Sequence, residues 1–173
     1  EFHDHIDKVL AAMDQPSIDG VNTYFVAKEA SALGLKVALS GVGGDELFGG
    51  YESFRQIPAY VGALGWMPGL PALGAAFRVL SAPIMSRLTS PKYASLFEYS
   101  GGYGAAYLLR RGLYLPWELP QVMDAEMARD GVAELNLLER LENSAAGIGG
   151  PRDKVSALEL GWYMRNQLLR DAD

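Results

Sequence analysis

Cysteine is absent from this chain of 173 residues, which excludes disulfides, thiolate metal sites and a cysteine nucleophile within it and makes a cytoplasmic setting the expectation. Basic stripes are missing as well. The 15 Lys and Arg are outnumbered by 21 Asp and Glu, for a net charge of −6, and no cationic run tracks a phosphate backbone, so nucleic acid is not an expected partner. Long apolar runs are lacking too. The most weakly polar stretch, Tyr60 to Ala76, is interrupted by Pro68, Pro71 and several glycines. It falls short of the roughly 20 continuous apolar residues of a membrane helix and reads as buried or docked helix. The opening residues, Glu1-Phe2-His3-Asp4-His5, carry neither the basic start nor the apolar core of an export signal. No Gly-Lys-Ser or Gly-Lys-Thr occurs anywhere, which removes the common phosphate loop of nucleotide triphosphatases.

Hydrophobic residues make up 49% of the chain, enough to build the core of one ordinary domain. Turn signals and periodicity divide it into a mainly helical series. A first helix ends near Met13, and Pro16 breaks it so that Ser17 or Asp19 can cap the next. That helix carries apolar residues at Ile18, Val21, Phe25 and Ala32, and Gly34 stands where a left-handed C-terminal cap is needed. Leu35-Lys36-Val37-Ala38-Leu39 then reads as a short buried strand, completing the helix–turn–strand unit of a parallel α/β sheet. Between Tyr60 and Ser100, Pro68, Pro71, Pro83 and Pro91 predict several short helices. Ala105–Leu113, Leu119–Asp130 and Asn136–Ala146 predict three more, and the last begins at Asp153 with Val155, Leu158, Trp162 and Leu169 on one face. The fold class is therefore mainly α with one short parallel β-strand, and most of its sheet is expected outside these residues. A helix still periodic at the final residue points the same way, so residues 1–173 are expected to form a single incomplete domain. A piece parted from its sheet exposes apolar surface, which leaves a homo-oligomer open.

The chemistry is concentrated in Ser40-Gly41-Val42-Gly43-Gly44-Asp45-Glu46-Leu47-Phe48-Gly49-Gly50-Tyr51. Glycines at 41, 43 and 44 let successive backbone N–H groups converge on an anion beyond the end of a strand. Asp45 and Glu46 would repel a phosphate unless a divalent cation, most naturally Mg²⁺, lay between them. A plainer alternative is a glycine-rich turn in which Asp45 caps a helix and the glycines serve close packing.

The same string resembles the second signature of the asparagine synthetase family, Ser-Gly-x-Gly-(Ser/Gly)-Asp-Glu-x-Phe-Gly-Gly-Tyr. The resemblance continues in Asp14–Phe25, Ala106–Leu113 and Asn166–Asp173. It implies a fragment of the C-terminal synthetase domain, an α/β adenine-nucleotide pyrophosphatase of PP-loop, HUP-like architecture. It also implies an ATP-dependent ligase that adenylates a carboxylate, classically aspartate, and converts it to an amide with ammonia from a glutaminase domain N-terminal in the parent chain. ATP and Mg²⁺ are the implied cofactors. Asp45 would bind the metal together with an Asp of an earlier Ser-Gly-Gly-x-Asp-Ser loop. Ser40, Gly41, Val42 and Gly43 would line the ATP and acyl-adenylate pocket, and Gly44 and Glu46 would shape it. That earlier loop, the glutaminase Cys and the lysine near the adenylate fall outside residues 1–173, so the fragment alone is not expected to catalyse.

Two departures bear on the substrate. Val42 stands where asparagine synthetases proper have Glu and many relatives Asp. Asp19 falls near a position where they carry a basic residue thought to meet aspartate. A carboxylate other than aspartate, such as a sugar acid or peptide precursor, fits these changes. A non-catalytic nucleotide-binding or structural helical module is the competing class. Elsewhere, His3 and His5 lack a third ligand and read as solvated. Asp14 and Ser17 read as a helix stop and cap, Trp66, Trp117 and Trp162 as core, and Arg110-Arg111 as a solvated helix end.

Overall fold

The computed structural model describes residues 2–15, 17–66, 73–81 and 91–172. Pro16, Pro68, Pro71, Pro83 and Asp173 lie outside them. The chain divides into two compact units, residues 1–48 with 159–173 and residues 49–158.

In the first unit, α1 (Phe2–Ala11) and α2 (Ile18–Ala32) are followed by an irregular stretch and a short α3 (Gly44–Phe48). Ser17 caps α2, its Oγ accepting from Gly20 N at 3.1 Å, which satisfies one of the donors a helix start leaves open. At the other end Gly34 adopts φ +73°, the left-handed stop that a side chain resists. Val21 and Phe25 are half-buried and Ala32 is exposed. His5 is not simply solvated but half-buried, edge-on to Phe25 at 5.8 Å.

The predicted strand is not formed. Leu35 to Leu39 takes no regular structure, and Leu35, Val37 and Leu39 are 56%, 79% and 99% exposed rather than buried. A strand exists only through a ladder with a neighbour, and none of the described residues is in a strand.

From the far end of the chain, Glu159–Leu168 and a 3₁₀ turn, Arg170–Ala172, complete this unit. The predicted terminal helix is thus two kinds of helix, since only α10 (Pro151–Leu158) is α-helical and Glu159–Leu168 is π-helical. The bond from Leu169 N to Met164 O, 2.9 Å, has the i→i−5 reach of that wider turn.

The second unit is built around α7 (Tyr103–Arg111), which buries Gly104, Ala106, Tyr107, Leu108 and Leu109 and packs against α4 (Ser53–Leu64), α9 (Leu137–Ala145) and α10. Residues 73–81 form α5, and a 3₁₀ turn, Pro91–Ser95, leads into α6 (Leu96–Tyr99). Ile57, Leu115, Leu141, Val155 and Leu158 fill the core at 2% exposure or less. The helix predicted over Leu119–Asp130 is instead a 3₁₀ turn, Leu119–Gln121, and α8 (Ala125–Leu135). Asp124 sets the start of α8, with one carboxylate oxygen accepting from Glu126 N and Met127 N at 3.0 Å each. Trp66 is 74% exposed and so is not core; in the turn after α4, its indole donates to Ala63 O of that helix at 2.9 Å. Trp117 is half-buried: Arg78 lies 4.5 Å over its ring and its Nε1 donates to Ser95 Oγ at 3.0 Å. Arg111 is not a free helix end, because its guanidinium lies 4.3 Å over the Tyr51 ring.

Candidate functional site: the glycine turn at Ser40 to Glu46

The turn is fixed by short-range bonds. Val42 N donates to Ser40 Oγ at 3.4 Å, Gly44 N to Gly41 O at 3.1 Å, and Leu47 N to Gly43 O at 3.1 Å. The pivot is Gly43, with φ +94°, a conformation that strains any side chain. It is also buried, and a Cβ there would stand 3.3 Å from Met164 Sδ of the π-helix. The backbone angle thus favours glycine, while the Met164 sulfur would have to give by only a few tenths of an ångström.

Beyond the pivot, α3 carries two carboxylates in its first turn with opposite environments. Asp45 is exposed, whereas Glu46 is 1% exposed. Before the pivot, Ser40 and Val42 border a cavity of about 520 Å³ between α2 and residues 35–42, to which Asn22, Thr23 and Lys36 also contribute. Ser40, Gly41 and Val42 are exposed, and Val42 retains 47% of its surface. The candidate residues therefore separate by environment: an open rim of Ser40, Gly41, Val42 and Asp45, and an inner support of Gly43 and Glu46, with Gly44 half-buried between them.

Asp45 is exposed, as a residue sharing a Mg²⁺ with phosphate oxygens and water must be. Among the described residues no group of three or more His, Asp or Glu is gathered to hold a metal.

Sequence reading missed the residues that brace this unit. Asp19 accepts from Gln167 Nε2 at 2.7 Å and from Tyr163 Oη at 3.3 Å. Tyr163 and Gln167, four residues apart, lie on one face of the helix and so can meet one carboxylate. Ser17 Oγ, besides capping α2, donates to Asp171. The Asp171 side chain is 3% exposed and pairs with Arg170 at 2.7 Å, and Arg170 also donates to Gln15 at 2.7 Å. Asp19 and Ser17 thus act as ties between α2 and the end of the chain.

The model of the asparagine synthase family matches residues 1–173: the chain belongs to the asparagine synthase family. Among its relatives are asparagine synthetase [glutamine-hydrolyzing] 1 of Bacillus subtilis, 45% identical over 58 residues, 32% of this chain and 9% of that protein. A putative asparagine synthetase [glutamine-hydrolyzing] 1 of Methanocaldococcus jannaschii is 39% identical over 61 residues, 33% of this chain and 11% of that protein. A probable asparagine synthetase [glutamine-hydrolyzing] of Dictyostelium discoideum is 49% identical over 35 residues, 20% of this chain and 6% of that protein. The chain thus spans about a tenth or less of the length of these relatives. No solved structure matches. No helix among the described residues is long and apolar enough to cross a membrane.

Proposed function

We propose that this chain is part of an ATP-dependent amide-forming ligase of the asparagine synthetase type. The observation that carries this reading is the family match over residues 1–173, together with a signature string whose exposed rim includes Asp45. In the reaction a substrate carboxylate attacks the α-phosphorus of ATP, the bond to pyrophosphate breaks, and ammonia then displaces AMP from the acyl carbon. Mg²⁺, when bound, neutralises the charge that builds on the departing pyrophosphate. Asp45 would hold that metal together with a carboxylate from outside these residues. Ser40, Gly41, Val42 and Gly43 would line the nucleotide, and Gly44 and Glu46 would set the shape of the turn.

The parent domain in this reading is a pyrophosphatase-type α/β fold whose remaining parts cover the exposed Leu35, Val37 and Leu39. An N-terminal glutaminase supplying ammonia, in a cytoplasmic enzyme, belongs to the same reading, since the relatives are named glutamine-hydrolysing. Val42 presents an apolar side chain where asparagine synthetases proper have Glu, and Asp19 is occupied by Gln167 and Tyr163. Both favour a carboxylate other than aspartate, and Val42 also supports a second reading, a nucleotide-binding relative without catalysis.

Carboxylate-dependent ATP–pyrophosphate exchange in the intact parent, over a panel of acids including aspartate, tests the proposal. Exchange that depends on one acid and collapses in Asp45→Asn is expected. Absence of exchange with every acid, in a protein that still binds Mg-ATP, would replace the ligase by the non-catalytic reading.

A further inference from the structure

The π-helical stretch Glu159–Leu168 has a use beyond closing the first unit. Several successive i→i+5 turns are costly, because π-helices normally survive only as single-turn bulges, frequently at functional sites. Here the wide backbone is held at two points. Tyr163 and Gln167 grip Asp19 of α2, and the Met164 carbonyl accepts from Leu169 N at 2.9 Å. Met164 itself projects between these anchors toward the glycine turn, with its sulfur 3.3 Å from where a Gly43 Cβ would be. α3 packs on the same π-helical stretch. A thioether on three rotatable bonds can fill the irregular space beside a left-handed glycine.

We propose that Met164 is a positioning residue for the glycine turn. Its side chain seats against Gly43, fixes the left-handed turn, and so sets the direction in which α3 presents Asp45. The Asp19–Gln167–Tyr163 contacts hold the π-helix in the register that places Met164 there. The consequence for metal and nucleotide binding rests on the ligase reading above; the positioning itself does not.

The two are separated by measuring amide exchange and Mg-ATP affinity on the same 173-residue chain. The probe is the Leu47 amide, whose hydrogen goes to Gly43 O. Met164→Ala is expected to speed its exchange about tenfold relative to Leu141 and Leu158 in the second unit, as loss of a half-buried contact loosens local structure. Met164→Leu, which keeps the volume, is expected to restore most of the protection. Should Met164→Ala unfold the chain, Met164→Val gives the same comparison with an intermediate increase. Unchanged Leu47 exchange in a folded Ala or Val variant overturns the positioning role. Faster exchange in a chain that binds no Mg-ATP even as wild type supports the role and leaves the ligase reading to ATP–pyrophosphate exchange in the intact parent.

Discussion

Replacing Gly104 by alanine sets two effects of known size against each other. Alanine is favoured over glycine within a helix by at most about 1 kcal/mol, so propensity alone predicts stabilisation. Packing predicts the reverse. A Cβ on Gly104 would lie 2.5 Å from Glu142 N, 2.7 Å from Leu141 C and 2.9 Å from Leu141 Cβ. Two of these are backbone atoms of α9 and cannot move aside by changing rotamer. Restoring ordinary contact requires α7 and α9 to part by roughly 1 Å, which loosens buried Ala106, Leu141 and Ala145 together. Overpacking of this kind costs about 3 kcal/mol, leaving a net loss of about 2. Gly131 in α8 is the internal control, because nothing lies within 4 Å of its would-be Cβ, and Gly131→Ala should stabilise by about 0.5–1 kcal/mol. In urea unfolding followed by far-ultraviolet circular dichroism, the midpoint should fall by roughly 1 M for Gly104→Ala and rise by roughly half that for Gly131→Ala. A Gly104→Ala midpoint at or above wild type would refute the close approach of these two helices.

Asp124→Ala should cost about 1 kcal/mol by removing the acceptor for the Glu126 and Met127 amides, with the loss read as faster exchange in the first turn of α8. Gln167→Leu should cost about 1–2 kcal/mol, because Asp19 loses its shorter bond in a half-buried site; protection of α2 amides measures it. Burial, reinforced by the charge of Glu98, pushes the Tyr99 phenol up to about 12. The unfolded chain, with a tyrosine near 10, therefore releases this proton first, so the stabilisation is fully present below about pH 10 and is lost as pH rises toward 12. Unfolding midpoints across that range should fall more steeply for wild type than for Tyr99→Phe, and equal slopes would contradict the burial of the phenol.

What could be read from the sequence was local. Ser17 as a cap and Gly34 as a left-handed stop depend on bonds within a few residues, and both form. The Asn136–Ala146 helix was legible for the same reason, and so was the presence of a turn at Gly43. The errors share a different origin. Leu119–Asp130 looked continuous by apolar spacing, but Asp124 offers its carboxylate to two amides and starts a separate helix. The terminal helix followed its predicted face through Val155 and Leu158, both buried, whereas Leu169 is 47% exposed. The change to π-helical winding after Leu158 rotates every later residue away from the α-helical register. No periodicity rule anticipates that change, and the partners of Tyr163, Met164 and Gln167, namely Asp19 and Gly43, lie far away in the sequence.

The strand and the turn beside it mark the limit of this kind of reading. Leu35 to Leu39 has strand composition, but its amides and carbonyls require partners on a neighbouring strand, so its structure is decided by residues distant in sequence. The turn that follows needs no such partner. Gly44 N to Gly41 O and Leu47 N to Gly43 O span three and four residues, and the positive φ of Gly43 carries no side-chain penalty. A glycine turn can therefore be formed while the segment leading into it remains irregular and exposed. The direction of Asp45 then depends on what stands against the pivot, which is why Met164, far away in the sequence and adjacent in the fold, is the residue whose alteration tests what holds the turn.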